Sequence, residues 1–287
     1  MMSIRKFLLQ LNLCRGIGQV SKVRLWQAAR QHHCFTDLKA LAQWAQLGPS
    51  SQEALLNNWA SDQLAAAVEY NQRFPYITIM DDDYPDQLRE TYCPPLVLFY
   101  TGRLELLKNP LLAVVGARDM SSYGETVLRG LIPQLAKRQV TVVSGLAKGV
   151  DGMSHRLALA NDGPTIGVVG CGLDRVYPTE NRQLQETVAQ RGLVISEYGR
   201  GEPPLAYHFP ERNRIIAGLA STVLVIEAKK RSGSLITAKT AYTVCIKYVF
   251  FVHTKKNPQT LTYQHSRVLS CMLYSVIRGG FLFIKVE

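Results

Sequence analysis

A chain of 287 residues, 47% of them hydrophobic, has material for one large domain or two smaller ones and the composition of a soluble globular protein. Its formal net charge of +11 favours a polyanionic partner. Part of that surplus, a net +5, lies from Thr243 onward. No run is long and apolar enough to span a membrane. The apolar patch Phe7 to Leu11 is interrupted by Asn12 and Arg15 before it can form a secretory signal core. Cys14, Cys34, Cys93, Cys171, Cys245 and Cys271 are scattered without a CxxC pair. That argues against a zinc site, and no other metal is expected. The thiols read as the reduced cysteines of a cytoplasmic protein.

Residues 1–70 read as an all-helical domain. Apolar positions recur at helical spacing in Ile4, Phe7, Leu8 and Leu11, then in Val20, Val23, Leu25 and Trp26. Between them, Gly16-Ile17-Gly18 with Lys22 and Arg24 is similar to a helix-hairpin-helix turn that meets DNA phosphate. A plain glycine turn inside a small bundle accounts for so short a motif more simply. Further helices are predicted over Thr36–Gln46 (ended by Gly48-Pro49), Ser51–Ala60 and Ser61–Gln72, with Ser51 and Ser61 as N-caps.

From Pro75 the texture changes. Tyr76–Met80 and Leu96–Tyr100 are strand candidates. Asp81-Asp82-Asp83 between them reads as a solvated turn, since adjacent residues point in different directions. Then uninterrupted apolar strands alternate with helices: Leu111–Val115, Val140–Val143, Thr165–Val169, Leu193–Ser196, Thr222–Ile226 and Tyr248–Val252. This is the pattern of an α/β fold whose parallel sheet is covered on both faces. Pro133, inside the first crossover helix, predicts a kink or break.

Ligands of such sheets bind outside the carboxyl ends of the strands. Gly116 and Arg118 follow the first strand, with Ser121, Ser122 and Tyr123-Gly124 opening the next helix. That helix N-terminus, with its free N–H groups and dipole, suits phosphate. Ser144-Gly145 and Lys148 follow the second strand, and Gly170-Cys171-Gly172 leads from the third to Tyr177-Pro178. Phe209-Pro210-Glu211-Arg212-Asn213-Arg214 precedes the fifth, and Glu227 and Ser232-Gly233-Ser234 follow it. Arg118, Lys148, Arg212 and Arg214 supply charge from three loops. Tyr177, Tyr207 and Phe209 offer faces on which bases can stack.

No GxGxxG follows the first strand, no acidic residue ends the second, and no P-loop is present. The sequence therefore speaks against a nicotinamide cofactor, and no cofactor is expected. Asp151 and His155, four apart on one helix, can form a hydrogen bond but lack a nucleophile. Cys171 reads as a small buried thiol.

Together these motifs resemble the DNA-processing protein A family (DprA, also called Smf). The likeness rests on Tyr84-Pro85, on Pro95 through Gly102, and on Ala113 through Arg118 with Tyr123-Gly124. It continues through Val143 to Asp151, Gly170 to Asp174, Tyr177-Pro178, Glu180-Asn181 and Ile195 to Glu197. It ends with Phe209 to Leu219 and Ser232 to Ala238, so that the match runs from about Tyr76 to Ala241. The resemblance implies an extended Rossmann-like, doubly wound sheet, preceded by the small helical domain. It implies a non-enzymatic protein of DNA-mediated transformation that protects incoming single-stranded DNA, helps load the RecA recombinase and self-associates. A homodimer follows if the C-terminal end permits it. The DNA site would comprise Gly116, Arg118, Ser144, Gly145, Lys148, Arg212, Asn213 and Arg214.

The expected DNA-binding domain is 71–253, followed by an atypical tail, 254–287. After Ala241 the Val-Pro-Gly turn of the family is absent and only Val249–Val252 echoes it, as if the gene end were frameshifted or degenerated. Two rivals remain. One is a Rossmann-type nucleotide-processing enzyme of the phosphoribohydrolase kind, although Ser232-Gly233-Ser234-Leu235 lacks that group's motif. The other is a degenerated member with impaired assembly, its sheet edge beside Thr222–Ile226 left uncovered.

Overall fold

A computed structural model of the chain describes residues 3–227, 247–251 and 261–264. The sheet consists of β1 (Tyr76–Thr78), β2 (Val97–Gly102), β3 (Leu111–Gly116), β4 (Thr141–Ser144), β5 (Thr165–Val169), β6 (Leu193–Ser196), β7 (Thr222–Ile226), β8 (Lys247–Phe251) and β9 (Leu261–Gln264). Among the described residues it runs β1-β2-β6-β5-β4-β3-β7-β8-β9. The block from β6 to β8 is parallel, with antiparallel strands at both edges. From β3 the chain winds outward through β4, β5 and β6, then returns to the other side of β3 as β7, so the sheet is doubly wound. The edge beside β7 is not the bare one that the degenerated-member rival would have: β8 pairs along it from Thr222↔Lys247 to Ile226↔Phe251.

Strands β3 to β7 are buried on both faces, which is why they read as unbroken apolar runs. Alternate residues of β3 point to opposite sides. Leu112 and Val114 pack under α7 (Ser122–Lys137) and α8 (Val150–Ala160). Ala113 and Val115 join Ile215, Ile216 and Leu219 of α10 (His208–Leu219). Each large aliphatic side chain buried this way contributes about 1.5–3 kcal/mol. Pro133 does not break α7, which is continuous from Ser122 to Lys137. Val127, Leu128, Leu131, Ile132 and Leu135 seat it on the sheet, and that burial outweighs one missing helical hydrogen bond.

The N-terminal part is helical: α1 (Ile4–Leu13), α2 (Gln19–Gln31), α3 (Leu38–Trp44), α4 (Pro49–Trp59) and α5 (Asp62–Asn71). Gly48-Pro49 starts α4 rather than ending a helix, and Gly48, not Ser51, is the cap, because proline fits the first helical position. Ser61 caps α5 as expected, accepting from the Leu64 N–H at 3.2 Å. The Gly16–Gly18 turn is part of the bundle. Ile17 is buried, and Lys22 is buried with its ammonium donating to the Asn12 carbonyl at 2.7 Å. It is therefore not directed at a phosphate. The bundle shares one continuous core with β1, β2 and α10. Asn12 donates to the Glu197 carbonyl at 2.8 Å, and Asn71 accepts from the Arg200 N–H at 2.7 Å, pinning helices to sheet.

Among the described residues no helix is long and apolar enough to cross a membrane. Nor is any group of His, Cys, Asp or Glu among them placed to hold a metal ion. Asp81 is engaged by the Thr78 N–H and by Arg5, and Asp83 by Lys108 at 2.8 Å.

Candidate functional site

At the carboxyl ends of β3, β4 and β5 lies a cleft lined by Arg118, Gly145, Ala147, Lys148, Tyr177, Pro178, Phe209 and Arg212. The topology thus brings together Arg118, Gly145, Lys148 and Arg212 of the expected set. Arg118 is exposed on the turn after β3, and among the described residues its side chain forms no ion pair or hydrogen bond. The turn itself is held firmly. The Ala117 N–H donates to the Ile226 carbonyl at 3.2 Å, and the Val150 N–H donates to the Ala117 carbonyl at 3.1 Å.

Arg212 forms the floor. It is 4% exposed, and its guanidinium donates to the Gly145 carbonyl at 2.6 Å and to the Val168 carbonyl. Its other bond, from Nε, goes to Asn213 Oδ1 at 3.2 Å. Burial pulls Arg212 below its ordinary range; buried Asp151 opposes that, and the Arg118 charge adds to it. The two guanidiniums therefore repel each other across the cleft. An anion placed between them relieves that repulsion. Held by its Nη1 and Nε bonds, Arg212 acts as a fixed positive group, not as a free-swinging phosphate ligand. Gly145 is required here, because a Cβ would come within 2.5 Å of the Arg212 guanidinium.

Lys148 stands at the mouth, half exposed, with its ammonium 2.5 Å from Glu180 Oε1. The opposite wall is aromatic: Tyr177 and Phe209 lie with ring centroids 4.9 Å apart, and Tyr177 is 44% exposed. Tyr207, also expected to stack, is 60% exposed but does not line the cleft.

Four expected residues lie outside the cleft lining with other partners, Asn213 accepting from Arg212 as above. Ser144 is fully buried, and its hydroxyl donates to the Val114 carbonyl at 2.6 Å. Gly116 admits the Ile226 carbonyl rather than a ligand, since a Cβ would sit 1.9 Å from that oxygen. Arg214 points away from the cleft into a buried pair. Its Nη2 lies 2.5 Å from both Glu197 carboxylate oxygens, and its Nη1 donates to the Cys93 carbonyl at 2.6 Å. Burial alone would lower Arg214, but Glu197 outweighs it and holds the guanidinium above its ordinary value.

The N-terminus of α7, expected to receive phosphate, is also occupied. Glu227, at the end of β7, accepts from the Ser121 N–H at 2.9 Å and from the Ser121 hydroxyl. The chain's own carboxylate thus sits where a dinucleotide's pyrophosphate would lie. Asp151 accepts from the Gly145 N–H at 3.2 Å, while His155 Nδ1 pairs with Thr165 Oγ1 at 2.7 Å. Burial, with the Arg212 charge adding, pushes His155 down to about 3. Burial pushes the Cys171 thiol up to about 11. Asn181, next to Glu180, is buried. Its amide donates to the Leu146 and Ala147 carbonyls at 2.9 and 3.1 Å, fastening the Thr179–Asn181 turn to the loop that carries Lys148. The Ser232-Gly233-Ser234 group lies outside the described residues, as do Val252 and the tail from 265 onward.

The chain is 52% identical over 174 residues to the DNA processing protein DprA of Streptococcus pneumoniae, covering 59% of this chain and 60% of that protein. It is 47% identical over 159 residues to protein Smf of Escherichia coli, covering 55% and 42% respectively. The aligned part thus spans 60% or less of these relatives' length. The crystal structure of DprA from Streptococcus pneumoniae superposes with a TM-score of 0.81 at 36% identity, over 98% of this chain and 94% of that one. A Helicobacter pylori DprA structure, described for its single-stranded DNA binding mode, gives a TM-score of 0.56 at 32% identity over 63% of this chain and 82% of that one. The family model for DNA recombination-mediator protein A matches residues 75–267, well past Ala241, where the resemblance was expected to stop. With that match added to the fold and the cleft, the chain belongs to the DNA recombination-mediator protein A family.

Proposed function

We propose that the chain is a non-enzymatic single-stranded DNA-binding protein of DNA-mediated transformation, acting through the cleft at the ends of β3, β4 and β5. The observation that carries this reading is the pairing of an exposed Arg118 with a buried Arg212 across that cleft. Arg118 and Lys148 are the direct phosphate contacts. Arg212 supplies fixed positive potential from below, and Tyr177 with Phe209 faces the bases. Support comes from the family match and from the Helicobacter pylori relative, described as binding single-stranded DNA. The absence of chemistry is supported by the tuning of the nearby groups. A thiol raised to about 11 and a buried histidine lowered to about 3 make a poor nucleophile and a poor base.

Delivery of the strand to RecA, homodimerisation and action in the cytoplasm belong to the same reading, the first in keeping with the matched family's description as recombination mediators. So does the division into a helical unit to residue 70 and a DNA-binding unit from 71. The test is binding of a fluorescent oligothymidylate to the purified chain and to R118A. Loss of affinity in R118A, with an unchanged melting curve, supports the reading. Equal affinity at low salt rules out the cleft. Release of free base from a nucleoside monophosphate would favour the phosphoribohydrolase rival.

A further inference from the structure

The ion pair at the cleft mouth is placed where it competes with the ligand. Lys148 and Glu180 lie 2.5 Å apart with side chains 56% and 60% exposed, so neither is locked in by packing. Their backbones, by contrast, are fixed relative to each other, because Asn181 clamps the Leu146 and Ala147 carbonyls and its Oδ1 accepts from Arg156 at 2.8 Å. Glu180 follows Tyr177-Pro178 of the cleft wall by two residues, and Lys148 is itself a lining residue. We infer that Glu180 is a specificity-determining residue: its carboxylate stands in for a phosphate on Lys148 and must be displaced by the incoming strand.

This rests on the cleft being the DNA site. The two charges hold each other in their ionised forms, with the Lys148 hydrogen bond the larger influence on Glu180 and the reverse on Lys148. When a DNA phosphate takes Lys148, Glu180 is left facing an anion. A lone phosphate ion must overcome that repulsion with a single contact. A strand also brings phosphates to Arg118 and over Arg212, so it can. The pair therefore favours a polyanion over small phosphates.

The experiment is oligothymidylate binding, by fluorescence anisotropy across a salt series, to the full chain and to E180Q, E180A, K148Q, E180Q/K148Q, R118A and E186Q. Glu186 is an exposed carboxylate on the helix Arg182–Arg191, outside the cleft lining, and controls for net charge. E180Q and E180A are expected to bind about two- to fivefold tighter at low salt, the range of an exposed ion pair. Their salt slope should change little, because Lys148 meets a phosphate in the parent as well. E186Q should change neither, and E180Q/K148Q should match K148Q. The inference is overturned if both Glu180 variants bind no tighter than the parent, or if E186Q gives the same gain. If R118A also binds as the parent does, the cleft reading has failed as well; if R118A is weakened, only the role of Glu180 is lost.

Discussion

Replacing Arg214 by alanine separates a structural arginine from a DNA-binding one. Its guanidinium lies 2.5 Å from both Glu197 oxygens and also donates to the Cys93 carbonyl, with side-chain exposures of 15% for Arg214 and 2% for Glu197. R214A leaves the Glu197 carboxylate buried without its counter-charge. Breaking such a pair from one side costs about 3–5 kcal/mol. For a domain of this size that lowers the melting temperature by roughly 6–20 °C. The assay is thermal and urea unfolding of parent and variant at pH 7, with oligothymidylate binding measured below the transition. The expected result is a large stability loss with near-parent affinity in the folded protein. A loss below about 1 kcal/mol, typical of exposed pairs, would refute the assignment of a buried structural pair. So would a loss of DNA affinity without a loss of stability.

Other consequences are equally direct. Gly149 has φ +70 and its Cβ position lies 2.3 Å from the Ala117 carbonyl oxygen, whereas Gly201 has φ +91 with nothing within 4 Å. G201A should therefore cost only the backbone strain, about 1–2 kcal/mol, and G149A distinctly more, with lost DNA binding because the Arg118 turn must shift. Urea melts of both variants check this ordering. His155 is held down at about 3 against 6.5 when unfolded, so the unfolded chain binds the extra proton first. Its contribution is complete above pH 6.5 and declines as pH falls towards 3, at up to about 1.4 kcal/mol per pH unit. Asp151, raised by burial, titrates with the opposite sign. The readout is therefore the difference between parent and H155Q: the parent should lose more stability than H155Q between pH 6.5 and 4. Parallel curves would remove His155 from the account.

The strands of this fold are legible because burial on both faces leaves almost nothing polar in them. Thr165–Val169, Leu193–Ser196 and Thr222–Ile226 fall where their apolar runs predict. The site is less legible, because a loop's position along the chain does not say which way its side chains point. Arg212 and Arg214 both lie on α10, two residues and so roughly 200° apart around the helix. They cannot share a pocket, and helical spacing alone carried that signal. Ser144 belongs to a buried strand end, so its hydroxyl turns inward to Val114. Glu227 was visible as a strand-end carboxylate. Its partner Ser121 is 106 positions earlier, and only the placement of β7 beside β3 brings them together. The roles of Glu180 and Asn181 likewise depend on the distant Lys148 loop.

The measurement that bears most directly on the cleft is the salt dependence of oligothymidylate binding for the parent chain and R118A. If Arg118 grips one phosphate, the slope of log K against log salt should become shallower by about 0.7 in R118A, with weaker binding to all sequences alike. Parallel salt lines of equal affinity would contradict the central claim and place the DNA site elsewhere on the molecule.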